Sequence, residues 1–158
     1  MADRVTSASG VLEVPELRGE VWRALAVLEP YCAVCDVSYV LADDAPPRAG
    51  TTFVCAPGRL DGAPPGPGAP QGEIVDWQPK RLVTTRLVLT PETWTTRIAF
   101  DDAPGGGTRV TMTITHEPNA GARLVRWVQR AAGRRMVQRT VDTELEKVPA
   151  HIAQLTAG

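Results

Sequence analysis

The 158-residue chain has no run of about 20 apolar residues, which excludes a bilayer-spanning helix read from sequence. Met1-Ala2-Asp3-Arg4-Val5-Thr6 carries no apolar stretch, so no secretory signal is expected and the cytoplasm is the expected location. Neither charge is in excess: 17 basic and 18 acidic side chains leave a formal net charge of −1, which argues against a nucleic-acid partner. Three cysteines are an odd count and too few for a disulfide framework. No P-loop, dinucleotide-binding glycine pattern or nucleophile elbow is present, and there is no repeat of solenoid length. What remains is an apolar content of 43%, too high for a disordered chain. The length suits one domain over residues 1–158 with its own core.

Residues 4–14 alternate loosely and end on Val11, Leu12 and Val14, which predicts a strand. Pro15 and Glu16 then suit a first helical turn, where a missing N–H costs nothing and an acid meets the helix dipole. Val21, Trp22, Leu25 and Leu28 recur at helical spacing, and Pro30 ends that helix. A second short helical turn is expected around Tyr31 to Cys35. From Val37 the period changes to two, and β-rich runs follow at 37–41, 51–55, 73–77, 82–89, 93–101 and 109–117. They read as antiparallel hairpins with one dry face.

The glycines and prolines, 14 of each, concentrate in residues 56–72. Proline lacks the ladder donor and glycine resists ordering, so a long hairpin loop is expected there, a candidate gate. Pro118 and Asn119 open a terminal helix. Its stripe of Val141, Leu145, Val148, Ile152 and Leu155 suits packing on a sheet, and Pro149 should bend it.

This order resembles the helix-grip superfamily of START lipid-transfer domains, the major birch pollen allergen and bacterial polyketide cyclases/dehydrases. The likeness is carried by Val14-Pro15-Glu16 with Glu20-Val21-Trp22-Arg23-Ala24-Leu25, and by Arg48-Ala49-Gly50-Thr51-Thr52-Phe53. Asp76-Trp77-Gln78-Pro79-Lys80-Arg81-Leu82 and Gly106-Gly107-Thr108-Arg109-Val110-Thr111 extend it over nearly the whole chain. Ala33-Val34-Cys35-Asp36 departs from it, standing where relatives often have an aromatic–proline pair. The resemblance implies an α+β fold. It further implies two short helices after strand 1 and a curved seven-stranded antiparallel sheet wrapped around a long C-terminal helix, enclosing a pocket for an apolar guest.

His116 shares its phase with Met112 and Ile114, which makes it a candidate acid or base at the pocket mouth. The competing reading is a histidine satisfying a strand end beside Glu117. Tyr39 brings a hydroxyl that can orient a substrate, and is the second catalytic candidate. Phe53, Trp77, Trp94, Ile98, Met112 and Ile114 are candidate ligand contacts, with ordinary core packing as the alternative. Arg86 and Arg97 are expected to face solvent.

The terminal helix poses a problem of phase. Arg123, Arg126, Arg130 and Arg134 fall in the sector of Val141, Leu145 and Val148 if the helix is straight. Either Arg130 and Arg134, with Trp127, meet an anionic group of the guest at the pocket rim, or Gly133 bends the helix. In the second case Leu124, Trp127, Val128 and Ala131 pack inward. Trp127 among arginines suits an interface equally well, and the oligomeric state stays open.

Cys32-Ala33-Val34-Cys35 has the spacing of a redox pair or metal knuckle. No βαβ context follows it and no second ligand pair stands near it, so no metal and no cofactor is expected. His151 is expected to meet the C-terminal helix dipole. The leading functional reading is a small hydrophobic molecule held in an internal cavity, with cyclisation or dehydration of a polyketide-like substrate. A non-catalytic lipid or isoprenoid carrier or sensor is the alternative, and a protein-interaction module the second.

Overall fold

The structure is a computed structural model. It describes residues 5–89, 92–118 and 126–156, with the backbone alone for 126–132 and 156. Eight strands form one antiparallel sheet in the order β1-β8-β7-β6-β5-β4-β3-β2. They are β1 (Thr6–Val14), β2 (Tyr31–Cys32), β3 (Val37–Leu41), β4 (Thr52–Pro57), β5 (Gln71–Gln78), β6 (Leu82–Leu89), β7 (Glu92–Asp102) and β8 (Thr108–Pro118). Helix α1 (Arg18–Leu25) follows β1, and α2 (Arg126–Glu146) and α3 (Val148–Thr156) close the chain. Among the described residues no helix is long and apolar enough to cross a membrane.

Seven of the strands are those expected; the eighth corrects the expected second helix. Tyr31 and Cys32 pair with Ser38 and Val37 in a tight hairpin instead. Asp36 turns it with φ 53°, and its carboxylate accepts a 2.6 Å hydrogen bond from the Tyr31 hydroxyl. With Pro30 barring a helix on one side and β-rich residues waiting on the other, pairing satisfies more backbone groups than one isolated turn. Helix α1 also begins later than Pro15 suggested. Leu17 is its N-cap, and the Glu20 carboxylate reaches back to accept from the Leu17 amide at 3.2 Å, half of a capping box.

The sheet has one wet face and one dry face. On the wet face Ser7 meets Thr115, Ser9 meets Thr113, and Arg109 pairs with Glu13 at 2.8 Å. Arg86 and Arg97 are exposed, as expected. On the dry face Val110, Met112 and Ile114 are buried at alternate positions of β8, and Ile98 and Phe100 on β7. A bulge at Val75 between Ile74 and Asp76 resets the phase of β5, so Ile74 and Trp77 both face inward.

The helices close this dry face. Val137, Val141, Leu145, Val148 and Ile152 are buried along α2 and α3, the stripe expected of a sheet-packing helix. Gly10 of β1 lets α2 approach: a Cβ there would stand 2.6 Å from Leu145 Cδ1 and 2.9 Å from Val141 Cγ1. The helix breaks at Lys147, two residues before Pro149, whose ring cannot follow an unbroken helix. Helix α3 then turns to pack against α1. Gly133 lies within the continuous α2. Arg123 and Leu124 lie outside the described residues, as do the side chains of Arg126, Trp127, Val128, Arg130 and Ala131.

Candidate functional site

Cross-strand register arranges the dry face in rows. Phe100 stands opposite Val110, Ile98 opposite Met112, Thr96 opposite Ile114, and Trp94 opposite His116. On the other side of β7, Val83 pairs with Ile98, Thr85 with Thr96, and Leu87 with Trp94. At the first row Trp22 of α1 fills the space. Its ring meets Trp77 at 4.8 Å and Phe100 at 5.3 Å, both edge-on, a favoured geometry for aromatic pairs. The third row has only Thr85, Thr96, Ile114 and, on β1, Ala8. These short side chains cannot span the gap to the helices.

The result is a cavity of about 470 Å³, within the range of small-molecule sites. Leu25, Leu28, Phe53, Leu87, Trp94, Ile98, Met112 and Ile114 supply apolar wall. Phe53 is fixed by Gly72, its cross-strand partner. A Cβ on Gly72 would collide with the Phe53 ring, so the absent side chain makes room for it. Tyr39 stands edge-on to Phe53 at 6.0 Å and also lines the cavity. Burial pushes the Tyr39 phenol above its ordinary value, so at neutral pH the group keeps its proton and offers a donor.

Polar groups collect on the side of α3 and the β2–β3 hairpin: Cys32, Cys35, Glu144, Lys147, His151 and Gln154. Lys147 Nζ donates to Glu144 Oε1 at 3.1 Å, and that bond raises the Lys147 pKa. Burial, with the thiol of Cys32 beside it, pushes the Cys35 pKa up to about 11. Burial lowers that of His151, so its imidazole is neutral at pH 7.

The expected site residues other than His116 separate into four groups. Tyr39, Phe53, Trp94, Ile98, Met112 and Ile114 come together around the cavity. Trp77 instead joins the filled end, against Trp22. Arg134 is exposed and is not among the lining residues, although it shares a helical sector with Val141. Leaving a guanidinium in water avoids a large desolvation cost, and a long side chain permits it. The fourth group, Trp127 and Arg130, falls where no side chain is described.

His116 faces the dry side but stands behind Trp94 rather than in the cavity wall, the two rings 4.6 Å apart. Its Nε2 lies 2.7 Å from Glu92 Oε2, while Trp94 Nε1 donates to Glu92 Oε1 at 3.1 Å. These two bonds, His116 first, hold the Glu92 carboxyl below the usual range. The partner of His116 is thus Glu92, 24 residues away, rather than the adjacent Glu117.

Two further expectations changed. Residues 58–70 link β4 to β5, and none of them lines the cavity. Arg59 lies 4.0 Å over the Tyr31 ring, tying this loop to the β2–β3 hairpin. His151 sits near the start of α3 and turns toward Cys32 and Cys35, so it does not serve the helix C-terminus. Only the C-x2-C spacing hinted at this cluster; the histidine's approach across 116 residues had no local signal.

No family profile matches the chain, and no curated protein matches it by sequence. Solved structures do. The Zhui aromatase/cyclase from Streptomyces sp. R1128 superposes with a TM-score of 0.68 at 13% identity, covering 95% of this chain and 94% of that one. One part of the di-domain ARO/CYC StfQ of the steffimycin biosynthetic pathway gives 0.71 at 14% identity, over 99% of this chain and 54% of that one. Ara h 8.0201 gives 0.60 at 10% identity, over 95% and 99%. The curved antiparallel sheet closed by a C-terminal helix is therefore the helix-grip fold, which this chain shares with these aromatase/cyclases and Ara h 8.0201.

Proposed function

We propose that residues 1–158 form one ligand-binding domain that takes a small, largely apolar molecule into the cavity and folds it for cyclisation or dehydration. The carrying observation is the cavity of about 470 Å³, apolar along the sheet and polar beside α3. Such a space binds a flexible guest by removing apolar surface from water. Confinement favours ring closure because it holds reacting carbons close without a bimolecular entropy cost. Tyr39 is the group we assign to a guest carbonyl, as a protonated donor that stabilises charge developing on oxygen. His116 reaches the cavity only through Trp94, and we assign it the positioning of that wall. Two structural neighbours, the Zhui aromatase/cyclase and the di-domain ARO/CYC StfQ, support the reaction class.

Native mass spectrometry of the purified protein tests this reading. A co-purifying apolar molecule, or uptake of an added linear poly-β-ketone analogue, is expected, followed by loss of one water mass on incubation. Tyr39→Phe should retain uptake and slow that loss about 100- to 1,000-fold, as removal of one donor to a developing oxyanion does. Release with unchanged mass and unchanged chromatographic retention, so neither dehydrated nor isomerised to a ring, would assign the non-catalytic carrier instead. Failure of any apolar guest to bind would overturn both.

A further inference from the structure

Three side chains in the cavity wall form a cluster that guest binding does not use. Cys32 lies on β2, Cys35 in the turn that follows, and His151 on α3. Cys32 Sγ is 3.7 Å from His151 Nδ1, and Cys35 Sγ is 3.9 Å from Nε2. All the donor atoms lie within 4.8 Å of one another. All three cysteines are free thiols.

Those separations suit a metal ion. Tetrahedral zinc, with Zn–S of about 2.3 Å and Zn–N of about 2.0–2.1 Å, sets S···N and S···S edges of about 3.6 and 3.8 Å. Each sulfur stands near that spacing from a different ring nitrogen, and with all donor atoms within 4.8 Å a turn of the imidazole presents a single nitrogen to both thiols. The backbone supports this. The hairpin turned at Asp36, and braced by the Tyr31 hydroxyl, brings two thiols of a C-x2-C pair to one side. Charge favours it too, because two thiolates neutralise a divalent cation, and the two displaced protons go to solvent. Gln154 lines the same cavity as the three ligands. Gln154, three residues beyond His151 on α3, buries its Oε1 with no hydrogen-bond partner among the described residues. A buried carbonyl normally has a donor, and a metal-bound water would supply one.

We propose that Cys32, Cys35 and His151 bind one zinc ion, with its fourth position open to the cavity. Two thiolates and one imidazole leaving a free position is a ligand set of catalytic rather than structural zinc. A zinc ion placed there would act as a Lewis acid on an oxygen of the guest; that last step rests on the cavity reading above, whereas metal uptake does not.

Cobalt(II) added to the reduced, full-length protein tests the site without any guest. One cobalt per chain is expected, with a near-ultraviolet thiolate charge-transfer band and visible bands of tetrahedral intensity. Zinc should displace it. Cys35→Ser and His151→Gln should each weaken uptake by more than about 100-fold, beyond the effect of losing an outer-shell partner, while Cys55→Ser, which removes the third thiol, keeps the band. X-ray absorption at the zinc edge of the unmodified protein avoids reliance on variants that misfold: two sulfurs and one imidazole nitrogen support the site, and a shell of nitrogen and oxygen alone overturns it. No cobalt band, or equal loss in Cys55→Ser, also overturns it. Acetohydroxamate should shift the visible bands if the fourth position is open; an unchanged spectrum overturns that part and gives the position to Glu144.

Discussion

Two ends of one sheet face meet the helices in opposite ways. At the first row Trp22 packs edge-on against Trp77 and Phe100 beside the buried Val110. Two rows along, Thr85, Thr96 and Ala8 stop short of α2 and α3, and a cavity remains. Strands β7 and β8 run through both ends in one unbroken register, so along them side-chain volume separates the filled end from the hollow one. The filled end supplies the packing that the hollow end forgoes, since dispersion contacts are lost wherever a wall atom faces a void.

The most direct way to break this contrast is to empty the filled end. Trp22→Ala should lower unfolding free energy in urea by about 3–5 kcal/mol, the cost of truncating a buried aromatic, because Trp22 is 6% exposed and touches two other rings. Next in size is a matched pair of enlargements. Val110→Phe, at a fully buried site, should cost about 1–3 kcal/mol by overpacking. Ile114→Phe points its extra volume into the cavity, so it should change stability by less than about 1 kcal/mol while abolishing binding of an apolar fluorescent dye. Equal losses in the two variants would show that both ends are solid.

At the boundary between them, Gly10→Ala puts a methyl group against Leu145 and Val141. It should lower the melting temperature by an amount equivalent to about 1–2 kcal/mol. The smallest effect concerns acid. The native bonds to His116 and Trp94 lower the Glu92 pKa beneath its ordinary 4.5, so the unfolded state takes up the proton first. The contribution is therefore complete above about pH 4.5 and is lost as pH falls through the lower native value. Glu92→Gln should flatten the melting-temperature profile in that acid window and leave the cavity's dye affinity nearly unchanged.

The fold was legible in the sequence because it depends on local period. Alternation along 93–101 and 109–117 placed Trp94, Ile98, Met112 and Ile114 on one face, and register brought that face to the cavity. Where two periods were equally available, reading failed. Tyr31 to Cys35 was too short to show a period, and the hairpin pairing of Tyr31 with Ser38 decided its form. Trp77 owes its inward turn to a bulge at Val75, which no composition signals, and its row places it against Trp22 rather than in the cavity wall. Arg134 kept the right sector and the wrong destination, since its length carries the charge out to water.

Chain order and hydrophobic spacing by themselves determined a sheet of antiparallel hairpins, a glycine- and proline-rich link between β4 and β5, and an apolar stripe on the terminal helices. These follow from the geometry of successive residues. Only tertiary packing decided that Trp22 fills one end of the face, that Glu92 is the partner of His116, and that His151 meets Cys32 and Cys35. Each of these joins residues far apart in the chain, and their meeting depends on how the helices seat against a curved sheet rather than on any neighbouring side chain.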